Sequence, residues 1–306
     1  MIMTRIEEFK ALIGSPSNYS FEHLLEFVKR YSFEDIDCEL YMQANGIRPD
    51  GEITYQRVVM ALPKKLDGKM PAVVVPFYYP DAALGFDLES GEALERYIKN
   101  PTMHDIVRHG YIAISADAYH LTYANLSLPR DDFSRWQKTA EVFNSEHPEW
   151  SGIGKLIFDT QLLLDICESD PRIDSERIGI AGHSLGGKMA FYTGCLDERV
   201  KVILASDFGI GLDSTNWDSI WYWGDKINVL KEKGLDNTVL LSHAAPKPFC
   251  LIAGQYDNEE SRQAVYSVEE YKDCPSKILV IDHRSGHRPP KYASEAGYYF
   301  LDSYLK

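Results

Sequence analysis

The chain has 306 residues, 44% of them hydrophobic and 25% charged, which is ordinary globular usage and excludes a disordered, fibrous or disulfide-stapled scaffold. Its formal net charge of −14 repels phosphate backbones and anionic lipid surfaces, so no nucleic-acid partner and no membrane association are expected, and neutral or cationic small substrates fit better. Residues 1–10 are charged and lack the apolar core of a secretory leader, no window reaches the roughly 20 apolar residues that cross a bilayer, and Cys38, Cys167, Cys195, Cys250 and Cys274 form no C-x-x-C pair, so a reduced, cytoplasmic protein is expected.

Residues 1–35 read as an N-terminal helical extension, with Phe21, Leu24, Leu25 and Val28 at helical spacing. From Ile36 the pattern changes to strands, at 36–43, 54–62 and 72–75. A helix near 102–109 then leads into a strand at 111–116, and a helix over 153–167 leads into a strand at 178–181. Further apolar runs follow at 202–205, 249–253 and 278–281, each separated by enough chain for a crossover helix. Continuous apolar strands between helices predict an α/β architecture, a mostly parallel sheet of about eight strands covered on both faces, with the first strands antiparallel. No repeat, low-complexity tract or linker divides residues 36–306, which are expected to form one catalytic domain. Three stretches, 78–101, 118–150 and 207–246, exceed simple connections; they are expected to rim the carboxyl edge of the sheet, the last two as lid insertions.

The segment from Ile178 to Ala190 contains Gly182-His183-Ser184-Leu185-Gly186, a G-x-S-x-G placed between an apolar strand and a helical run. That context fits a sharp strand-to-helix turn that lifts the serine oxygen above the sheet, with glycines where side chains would collide. Ser184 is the candidate nucleophile, and the backbone N–H of Leu185, at the start of the helix, is the first oxyanion donor. A serine hydroxyl needs a base and the base an orienting acid, which follow in the order acid, then histidine, on loops after strands. Asp257, where the chain leaves the strand at 249–253, is favoured as the acid over Glu259 and Glu260. His287, in the shaped loop Gly286-His287-Arg288-Pro289-Pro290, is favoured as the base over His283. The second oxyanion donor is placed on the loop after the strand at 72–75, at the N–H of Tyr79 before that of Tyr78. Tyr78 and three tryptophans of the 207–246 stretch, Trp217, Trp221 and Trp223, are candidate substrate-wall residues, with simple lid packing as the competing reading for the tryptophans. No metal-site spacing, P-loop or G-x-G-x-x-G is present, so neither metal nor cofactor is expected.

From the strand at 72–75 onward the chain resembles α/β-hydrolases of the dienelactone-hydrolase and acetylxylan-esterase type. The resemblance rests on the run Asp170-Pro171-Arg172-Ile173-Asp174 through Gly186-Gly187, on Ala245-Pro246-Lys247-Pro248-Phe249 before the acid strand, and on Gly286-His287. Dienelactone hydrolases proper use a cysteine nucleophile; with Ser184 in that place, the resemblance implies the α/β-hydrolase fold and serine-esterase chemistry on small esters, acetyl esters of carbohydrates among them. The alternatives are a serine peptidase of the prolyl-oligopeptidase type, or a triad-bearing binding protein without turnover. Amide against ester cleavage separates the first, and labelling of Ser184 by a fluorophosphonate the second. Whether the chain forms a homo-oligomer is left open by the sequence.

Overall fold

The computed structural model describes residues 3–15, 25–124 and 126–306. The chain opens with α1 (Arg5–Ile13), whose start is fixed by a capping box: the Thr4 hydroxyl accepts from the Glu7 N–H and the Glu7 carboxylate accepts from the Thr4 N–H. Of the expected helical extension, α1 spans only Arg5–Ile13 among the described residues. Leu25 and Val28 lie in a strand, β1 (Leu25–Ser32), while Phe21 and Leu24 fall outside the described residues. The run Phe27-Val28…Tyr31 has the β-branched and aromatic content that suits a pleated surface, and pairing to the next strand overrides a short helical spacing.

Eight further strands complete the sheet: β2 (Ile36–Ile47), β3 (Ile53–Pro63), β4 (Met70–Val74), β5 (Ile112–Ala116), β6 (Ile173–His183), β7 (Val200–Ser206), β8 (Phe249–Ala253) and β9 (Ile278–Asp282). The order is β1-β2-β3-β5-β4-β6-β7-β8-β9, nine strands where about eight were expected; the additional one is β1. β1, β2, β3 and β5 pair antiparallel, and every pairing from β5 through β9 is parallel. Because the chain moves outward from β4 to β5 and then returns to β6 on the other side, the strand order reverses beside β4, where open α/β sheets bind their ligands.

The remaining helices are α2 (Pro80–Leu84), α3 (Thr102–Arg108), α4 (Tyr119–Thr122), α5 (Phe133–Glu146), α6 (Gly152–Ser169), α7 (Leu185–Leu196), α8 (Lys226–Glu232), α9 (Asn237–Ala244), α10 (Glu259–Tyr266) and α11 (Lys291–Leu305). Alternation along the strands sends side chains into two separate cores. Ala72, Val74, Ile178, Ile180, Ile203 and Leu251 face one core with α1, α5, α6 and α7. Val73, Val75, Ala181, Val202, Leu204 and Ile252 face the other with α2, α3 and α11. A strand buried on both faces has no polar side to show, which is why these runs read as continuously apolar in the sequence.

Candidate active site

Three strand ends meet at the carboxyl edge. β6 stops at His183, and Ser184 follows with φ 58° and ψ −117°, its N–H donating to the Ser206 carbonyl at 2.8 Å. The turn is close-packed: a Cβ on Gly182 would lie 2.1 Å from the Gly186 carbonyl oxygen, and one on Gly186 2.1 Å from that of Pro76. α7 begins immediately at Leu185, so its first amides and dipole lie beside the serine oxygen. β7 stops at Ser206, and Asp207 turns out of the sheet with φ 39°. The loop after β9 supplies His287.

His287 Nε2 lies 2.9 Å from Ser184 Oγ, and His287 Nδ1 lies 2.7 Å from Asp207 Oδ2. The carboxylate on the imidazole is therefore Asp207, and Asp257 does not take that place. Burial alone would raise the Asp207 carboxyl, but the His287 N–H and the amides of Tyr256 and Gln255 outweigh it and hold the group below the usual carboxylate range. Asp257 is fully buried one loop away, where its oxygens accept from the Gly209 N–H at 3.1 Å and the Ile210 N–H at 2.7 Å, and burial pushes it up to about 6. Asp207 directly follows β7 and Asp257 lies in the loop after β8; the Asp257 carboxylate is taken up by the amides of the β7 loop, and only Asp207 reaches the imidazole. His283 is occupied elsewhere, its Nδ1 accepting from the Ser285 N–H at 3.1 Å. His183 stands 4.6 Å from the His287 ring, ring centre to ring centre; burial and the neighbouring His287 push it down to about 3, so it stays neutral.

The sequence matches the dienelactone hydrolase family over residues 57–206. A Bacillus subtilis (strain 168) protein known by name only as a hydrolase, YtaP, is 25% identical over 262 residues, 79% of this chain and 81% of that one. The glucuronoyl esterase from Solibacter usitatus superposes with a TM-score of 0.68 at 12% identity, covering 95% of this chain and 88% of that one. The acetyl xylan esterase from Paenibacillus sp. R4 superposes with a TM-score of 0.62 at 17% identity, covering 92% and 88%. The chain has the α/β-hydrolase fold.

Two cavities of this α/β-hydrolase fold meet at Ser184. The inner one, of about 80 Å³, runs between Val75, Phe77, Tyr97 and Thr102. The outer one, of about 410 Å³, is walled by Phe133, Trp136, Asn216, Tyr222 and Tyr256. Tyr78, Arg96 and His287 line both. All three of the long connections thus contribute to the rim. The local charge differs from that of the whole molecule: Arg96 and Arg288 edge the inner cavity and Lys188 the outer one, so the overall acidity does not extend into the cleft.

Tyr79 lines neither cavity. It caps α2 in extended backbone, φ −161° and ψ 158°, so its side chain points opposite to that of Tyr78 and packs against Tyr97 with Arg130 over its ring. The Tyr78 phenol instead faces the Ser184 hydroxyl, and its ring stacks on Trp136 at 4.8 Å. The loop carrying it is anchored by Arg57, which bonds both Asp117 and Asp81. The three tryptophans are packing residues: Trp217 is fully buried and donates to the Gly209 carbonyl at 2.7 Å, Trp223 donates to the Tyr192 hydroxyl at 3.3 Å, and Trp221 backs Phe133 and Trp136. Sequence reasoning missed three site residues. Asp207 directly follows a strand, the criterion by which Asp257 was chosen. Lys188 is one helical turn from Ser184. Trp136 sits in the 118–150 insertion at a position no motif marks.

Proposed function

We propose that this chain hydrolyses small carboxylic esters through an acyl-enzyme, and the observation that carries the reading is the continuous relay Ser184 Oγ–His287 Nε2 at 2.9 Å and His287 Nδ1–Asp207 Oδ2 at 2.7 Å. The Ser184 oxygen attacks the ester carbonyl carbon as its proton passes to His287 Nε2, giving a tetrahedral oxyanion. The Leu185 N–H and the Tyr78 phenol are the groups offered to that oxyanion. Collapse expels the alcohol, which takes the proton from His287. Water then adds to the acyl-serine with its proton accepted by His287, and the second collapse releases the acid and restores the serine hydroxyl. Asp207 holds the imidazole with Nδ1 as the donor, leaving Nε2 as the acceptor toward serine.

The inner cavity suits a short acyl chain, and the aromatic walls of the outer cleft, with Asn216 among them, suit a sugar or aryl alcohol portion. Named relatives that act on glucuronoyl and acetyl xylan esters support this substrate class. Ser184→Ala should abolish turnover of p-nitrophenyl acetate and labelling by a fluorophosphonate. Full turnover in that variant would end the reading.

A further inference from the structure

The turn that carries Asp207 is strained and almost completely held. Asp207 has φ 39° and Gly209 φ 73°, and a left-handed conformation at a non-glycine residue persists only where its surroundings impose it. The surroundings here are specific. The Asp207 N–H donates to the Ile252 carbonyl at 2.8 Å. The Phe208 carbonyl accepts from Lys188 Nζ at 2.8 Å, that of Gly209 from Trp217 Nε1 at 2.7 Å, and that of Ile210 from Asn237 Nδ2 at 2.8 Å. Two further amides of the turn, Gly209 N–H and Ile210 N–H, both donate to Asp257, one to each carboxylate oxygen.

The relation is reciprocal. Asp207 Oδ1 accepts from the N–H groups of Tyr256 at 2.7 Å, Gly254 at 3.2 Å and Asp257 itself at 3.2 Å, while Oδ2 accepts from Gln255 at 3.0 Å in addition to His287. Each carboxylate is thus seated in the amides of the loop that bears the other. A fully buried carboxylate carries a large desolvation cost, and Asp257 satisfies its oxygens with the backbone of the acid-bearing turn.

We propose that Asp257 is a positioning residue: by clamping the Gly209 and Ile210 amides it fixes the turn that presents Asp207, and through Asp207 the orientation of the His287 imidazole toward Ser184. The proposal rests on the esterase reading above. Its work is geometric, since Asp257 lines neither substrate cavity and Asp207, not Asp257, meets the imidazole.

In Asp257→Asn one of the two amides must face an NH₂ group, so the turn loses one anchor while volume is kept. Misplacement of a reacting group by about 1 Å costs on the order of 100-fold, so kcat on p-nitrophenyl acetate should fall by roughly 10- to 100-fold with KM nearly unchanged. The low-field proton resonance of the hydrogen-bonded His287 Nδ1–H should broaden or vanish in a protein that circular dichroism shows to be folded. A purely structural role would lower the melting temperature and leave both readouts per folded molecule as they are. Asp257→Ser, smaller and still an acceptor, is the second variant and should show the same split. If either variant is folded with wild-type kcat and an unchanged Nδ1–H signal, or if both only unfold, Asp257 does not position the triad. Ser184→Ala run beside them separates the two ideas: an inactive Ser184→Ala with a fully active Asp257→Asn overturns the brace alone, whereas an active Ser184→Ala overturns the esterase reading beneath it.

Discussion

At the scale of single residues the decisive contact is Asp207 on His287. Removing its charge while keeping its shape leaves the imidazole free to take the wrong tautomer, and in a comparable triad that change lowers kcat by about 10⁴. Asp207→Asn should therefore lose about that factor in kcat on p-nitrophenyl acetate while still binding substrate; an Asp207→Asn enzyme within tenfold of wild type would show that the carboxylate is not part of the chemistry. Lys188 makes a second, independent prediction. It is buried, bonded to the Phe208 carbonyl and seated 4.0 Å from the centre of the Trp217 ring, and burial pushes it down to about 7. Between there and the ordinary 10.5 of a lysine, the unfolded chain holds the proton and the folded chain does not. Stability from this group therefore rises as pH climbs from about 7 toward 10.5. The urea midpoint of wild type minus that of Lys188→Met should shift in favour of wild type over that range, and a pH-independent difference would contradict it.

At the scale of elements, the loops after β7 and β8 form one unit, and at Gly254 they leave no room for a side chain. A Cβ there would lie 2.5 Å from the Gly286 carbonyl oxygen and 2.8 Å from Asp207 Cγ, so Gly254→Ala has to push apart the segments bearing acid and base. A loss of about 100-fold in kcat, with the fold retained and KM little changed, is expected from such a displacement; steady-state kinetics of that variant tests it. The same pair of loops explains what could and could not be read from the sequence. The elbow was legible because G-x-S-x-G stood between an apolar strand and a helix, and His287 because it ends the last strand's loop with Gly286. The acid was not, because Asp207 and Asp257 both lie in loops that leave an apolar strand, and their difference lies in how the two loops fold over one another. Likewise Leu25 and Val28 fit a helical spacing as well as a strand, and pairing with β2, invisible in a local window, decided for the strand. Tyr78 was legible only as a wall residue; that its side chain and that of Tyr79 take opposite sides follows from the extended backbone at Tyr79.

At the scale of the whole molecule, the N-terminal helix reaches the part of the chain that backs the outer cleft. Phe9 is fully buried, with its ring 5.7 Å from that of Trp223 and 6.1 Å from that of Tyr192 on α7. Truncating a buried phenylalanine costs about 3–5 kcal/mol, so Phe9→Ala should lower the melting temperature by several degrees in calorimetry; a variant melting with wild type would show that α1 adds nothing to the core. The strand order has a further consequence. Serine and acid leave neighbouring strands, β6 and β7, whereas the imidazole alone depends on the outermost strand of the parallel edge. Loosening of that margin would silence turnover without dismantling the cradle at the head of α7, leaving a receptor for the molecules the intact protein consumes.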